Sequence, residues 1–92
     1  MKKFNEADNL AVITTKFVLQ KNEHISYVYH HKDDGMWEFI SSSDAQESDY
    51  MVVALNEITT LDPSVLKVAD LEFGYYAYRQ DKWAEWQIDK ID

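Results

Sequence analysis

The 92-residue sequence predicts an α+β domain: an antiparallel sheet of four to five strands with two or three short helices packed on one face. Two observations carry this. Runs rich in β-branched and aromatic residues recur at 25–31, 36–40, 73–80 and 83–88, and ten of the thirteen aromatic residues fall within them. Between the second and third runs the pattern changes to helical spacing, with Leu55, Ile58 and Leu61 on one stripe.

Taken in chain order, residues 1–9 are polar and expected to be flexible, and residues 10–92 form the single domain. Leu10-Ala11-Val12-Ile13 reads as a buried strand. Thr14 is placed to cap a short helix that buries Phe17 and Val18 and ends near Lys21. Residues 25–31 alternate, so Ile25, Tyr27, Tyr29 and His31 point one way and Ser26, Val28 and His30 the other. Asp33-Asp34-Gly35 is a hairpin signal, because glycine tolerates positive φ, and Met36-Trp37-Glu38-Phe39-Ile40 is the returning strand. Residues 41–50 lack apolar periodicity and read as an acidic surface loop. Met51-Val52-Val53 fits either a short strand or the entry into the 54–61 helix. Asp62-Pro63-Ser64 opens another helix to about Asp70: Asp62 can accept from an orphan amide, and Pro63 suits the first helical position. Gln80-Asp81-Lys82 is short enough to join the last two strands as a hairpin.

Composition narrows the function classes. The net charge of −8 opposes phosphate backbones and anionic membranes and favours a basic partner. The absence of cysteine excludes disulfides and thiol chemistry, and favours a cytoplasmic location. No apolar run approaches the roughly 20 residues that span a bilayer, and no signal-peptide pattern follows Lys2-Lys3.

Candidate chemistry is sparse. His24, His30 and His31 cannot converge on one ion from a strand, because His30 and His31 point to opposite faces. Ser41-Ser42-Ser43 lacks a nucleophile motif, and with only two glycines no phosphate-binding loop is available. Tyr76, Tyr78, Trp83 and Trp86 have the rings to stack on bases. They lack the positive groove such sites need, since Arg79, Lys82 and Lys90 are outnumbered by Asp81, Glu85, Asp89 and Asp92. No catalytic, cofactor-binding or metal-ligating residue is therefore expected, and the chain reads as a non-enzyme.

Four segments together resemble a small bacterial family, domain of unknown function 2185, of the immunity protein 33 type. They are Ala11-Val12-Ile13-Thr14-Thr15-Lys16; residues 25–29 with Gly35-Met36-Trp37-Glu38-Phe39-Ile40-Ser41; Leu55 and Ile58 leading to Asp62-Pro63-Ser64-Val65-Leu66; and Gly74 to Arg79, a glycine and an arginine at the two ends of a strand. The chain departs from the family at Ser42-Ser43-Asp44, where members often carry Ser-Gly before acids, and at Trp83 and Trp86, which are outside the pattern.

The resemblance implies an immunity protein that neutralises a cognate toxin domain, and it brings no functional residues with it. The expected interface is set by charge and side-chain type: Asp33 and Asp34 at the hairpin tip, Asp44, Glu47, Asp49 and Tyr50 in the acidic loop, and Trp83 and Trp86 as hot spots. Two other readings stand beside it, a self-associating structural domain (a homodimer) and a small-molecule-binding domain.

Overall fold

The computed structural model describes residues 2–92. Its strands are β1 Ala11–Thr15, β2 Tyr27–His30, β3 Trp37–Ile40, β4 Tyr50–Ala54, β5 Tyr75–Tyr78 and β6 Gln87–Lys90. They form one sheet in the order β4-β1-β3-β2-β5-β6. Two α-helices, α1 Lys16–Gln20 and α2 Leu55–Leu61, and two 3-10 helices, Glu47–Asp49 and Pro63–Val68, complete the fold.

The α+β class is as expected, but the sheet is larger and mixed. β1 and β3 run parallel, with Ile13 opposite Glu38. The β2–β3 hairpin sets His30 against Trp37 and then lays its second strand, not its first, beside β1. A strand reached after α1 and a full hairpin returns in the direction of β1, so the pairing is parallel. Residues 51–53 resolve as part of edge strand β4 rather than as a helix entry.

Two local expectations fail for identifiable reasons. Thr14 does not cap α1. It lies in β1, facing inward, and its hydroxyl donates to the Phe39 carbonyl at 2.6 Å. The last strand begins at Gln87 instead of Trp83, because the Asp81 carboxylate accepts the amides of Trp83 at 2.8 Å and Ala84 at 3.0 Å. That side chain offers the backbone a turn in place of a ladder.

One face of the sheet carries the core. Val12, Val28, Trp37, Phe39 and Ala77 point to it, and Val18, Leu55, Ile58, Val65 and Val68 close over them from the helical segments. The segment before β1 lies against one end of this layer. Phe4 is buried edge-on to Trp37 at 4.9 Å, and the indole N–H of Trp37 donates to Glu6 at 2.7 Å.

Arg79 fastens β5 to the Pro63–Val68 segment. Its side chain is 1% exposed and donates to the Ile25 carbonyl, the Ser64 hydroxyl and the Asp62 carboxylate, while Trp86 stacks on the guanidinium at 4.0 Å. Asp62 also caps the Ser64 amide, as its position before Pro63 predicts. At the other end of β5, Gly74 has a φ of 84°, a left-handed conformation that suits glycine.

Candidate protein-interaction face

The opposite face of the sheet has no helix over it. Strand alternation and register decide what it shows. From β4 inward these are Tyr50 and Val52, then Ile13, Glu38 and Ile40, Tyr27 and Tyr29, Tyr76 and Tyr78, and at the far edge Gln87 and Asp89. Five of the six tyrosines in the chain lie on this face; Tyr75 alone faces the core side.

Four of the five form a continuous ladder. Tyr29 lies opposite Tyr76 with ring centroids 5.3 Å apart and planes 16° from parallel. Tyr27 stacks along the strand on Tyr29 at 6.3 Å, His31 on Tyr29 at 5.6 Å, and Tyr78 leans on Tyr76 at 5.5 Å. His31 Nε2 meets Glu38 Oε1 at 2.8 Å, which ties the ladder to the acid beside it.

The electrostatics of the face are one-sided. No lysine or arginine occupies a position of this register, whereas Glu38 and Asp89 do. Burial first, and then the Glu38 charge, pushes the Tyr29 phenol above its ordinary pKa; burial and then Asp89 do the same for Tyr76. Both phenols therefore stay protonated at neutral pH. Among the described residues none of the five hydroxyls is engaged in a hydrogen bond with another protein group, so each retains a donor for a partner.

The residues singled out from the sequence are scattered by comparison. Asp33, Asp34, Asp44 and Glu47 are exposed. Tyr50 belongs to the tyrosine face, 42% exposed. Asp49 is buried and committed internally: Lys16 Nζ lies 2.9 Å from it and the Gln46 amide 2.8 Å, and these two contacts, the lysine first, hold its carboxyl below the usual aspartate range. Trp86 is half-buried and held between Arg79 and the Ser64 carbonyl. Trp83, 83% exposed, stands apart from both the core and the ladder, at the mouth of a cleft it shares with His24 and Ser64.

Tyr27, Tyr29, Tyr76, Tyr78 and Glu38 were not singled out as interface residues. Their shared parity is readable in strands β2, β3 and β5, but which parity the helices cover is set by tertiary packing.

Among the described residues no group of three or more histidine or acidic side chains is arranged to hold a metal ion. Among the described residues no helix is long and apolar enough to cross a membrane. No family model, curated protein or solved structure matches the chain.

Proposed function

We propose that this chain is a protein-binding domain of the immunity type, and that its uncovered tyrosine face seats a basic toxin domain and blocks it. The observation that carries the reading is the concentration of five tyrosines on the one sheet face without helices, beside Glu38 and Asp89 and without a cation. Tyrosine gives large contact area with little entropy to lose and keeps a polar tip, which is why it concentrates at binding surfaces. The absence of cations on the face disfavours nucleic acid, whose phosphates dominate affinity. The charge of −8 steers a basic protein toward it.

Size tells what else must take part. Six strands at roughly 4.8 Å spacing and four to five residues long make a face of about 24 Å by 15 Å, roughly 350 Å². A standard interface takes roughly 800 Å² from each partner. The flanks must supply the rest, and the exposed Asp44 and Glu47, in the loop that leads into Tyr50, are next in reach along the chain.

The test is co-expression with the protein encoded next to this chain, followed by co-purification at low and high salt. A complex that weakens as salt rises supports a basic partner held by an acidic surface. No complex at low salt, with both proteins folded, removes the neighbour as the toxin and the reading with it.

A second reading has its own observation. β4 is an edge strand carrying Val52, 68% exposed, beside Tyr50. Unpaired edges with apolar side chains pair with one another. If two copies join through β4, the chain sediments as a dimer and Val52→Lys returns it to monomer; a wild-type monomer at high concentration removes this reading.

A further inference from the structure

A cavity of about 670 Å³ opens on the helix-covered side of the sheet, between the segment before β1 and the turn that precedes β5. His30 lines it, only 5% exposed, stacked on Trp37 at 3.9 Å and with the Phe73 ring tilted against it at 4.3 Å. His30 Nδ1 lies 2.7 Å from the Leu71 carbonyl, which only accepts, so this nitrogen carries a proton. In the neutral ring Nε2 is then a bare acceptor, and it has no partner.

Much of the rest of the lining is acceptor or π-face, with Asn5 alone offering a side-chain amide that both donates and accepts. Glu6 gives one oxygen to the Trp37 indole N–H and keeps the other. Glu72 is exposed, and its carboxylate makes no hydrogen bond or ion pair among the described residues. Asp70, at the rim, is paired with Lys2 at 3.1 Å. The one indole donor is spent on Glu6, and Phe73 presents a ring that is 62% exposed.

Such a lining asks for a ligand that donates several hydrogen bonds, carries positive charge and lies flat on an aromatic ring. A guanidinium does all three. The carboxylates do not converge as a metal site would require. We infer that this cavity is a binding site for a guanidinium group, with Glu6 and Glu72 as acceptors, Phe73 as the stacking surface and His30, with its unpartnered Nε2, in the wall. Its natural occupant is an arginine side chain of a protein partner, in keeping with the net charge of −8. The site lies on the face opposite the tyrosine ladder, so its failure leaves the proposed function standing.

The experiment is an NMR titration of the labelled protein with Nα-acetyl-arginine methylamide. The matched citrulline compound, which keeps the shape and loses the charge, is the control. Saturable shifts at the His30 side chain and Phe73 with the arginine probe alone are expected. The double variant Glu6→Gln, Glu72→Gln should weaken them by at least about tenfold, since two charge-assisted bonds are lost. Glutamine at position 6 still accepts from the Trp37 indole, so that variant keeps the local packing. Phe73→Ala, at an exposed position, is a second variant with the same expectation. An absent or unsaturable response, an equal response to citrulline, an unaltered affinity in the variants, or shifts centred on Tyr29 and Tyr76 would each overturn the assignment.

Discussion

Arg79 shows how one residue can fix two distant segments. Its guanidinium joins the Ile25 carbonyl, Asp62 and Ser64, and its plane is covered by Trp86. Replacing it with methionine keeps much of the volume but leaves Asp62 without its cation, so Arg79→Met should cost about 3 kcal/mol in urea unfolding. A loss below about 1 kcal/mol would mean that water replaces the guanidinium at little penalty. The sequence shows a glycine and an arginine at the ends of this strand and, separately, the Asp-Pro-Ser segment. That the two meet through one guanidinium is long-range geometry, which no local pattern encodes. Asp49 teaches the converse. Its place in an acidic loop suggested a surface charge, yet Lys16 and the Gln46 amide hold it inside, with a lowered pKa. A carboxyl whose folded pKa is depressed adds stability above its unfolded value and loses it as pH falls through the folded one. Acid should therefore destabilise the fold as Asp49 protonates, and Lys16→Met should move the Asp49 carboxyl midpoint, read by NMR, upward. An unmoved midpoint would remove the ion pair as its cause.

At the scale of elements, the acidic loop divides into two kinds of acid. Asp44 and Glu47 are exposed and free to attract a partner, whereas Asp49 closes the 3-10 turn at Glu47–Asp49. Asp44→Lys with Glu47→Lys should weaken partner binding several-fold at low salt and much less at high salt, with the melting temperature little changed. Asp49→Lys should instead lower the melting temperature, because it places a second cation beside Lys16. If all three behaved alike, the distinction would fail. The β2–β3 hairpin was the element most fully legible, because alternation, aromatic content and an Asp-Gly turn all agree there; Gly35 indeed has a φ of 73°. The last strand was misplaced because Asp81 diverts Trp83 and Ala84 into a turn. β-Propensity at Trp83 cannot compete with a carboxylate that satisfies two successive amides.

Over the whole molecule, the fold class and the helical layer were legible from composition and periodicity. The mixed pairing was not, since nothing local tells β1 whether its neighbour will be the first or second strand of a hairpin. The same limit hid the candidate site. Each tyrosine pair could be assigned to a common face of its own strand, but the assembly of five onto one uncovered surface needs the strand order β4-β1-β3-β2-β5. An interface of roughly 800 Å² would cover about one eighth of the 6113 Å² surface of the chain, a demand that the tyrosine face with its acidic flank is suited to meet. The central claim is that this face, and not the hairpin tip or Trp83, holds the partner. The most direct measurement is the calorimetric affinity of the co-purified partner for Tyr29→Ala combined with Tyr76→Ala, checked for folding by circular dichroism. The expected result is a loss of at least about 30-fold, the scale of one interface hot spot. Unchanged affinity in a folded double variant would contradict the claim and move the interface elsewhere on the molecule.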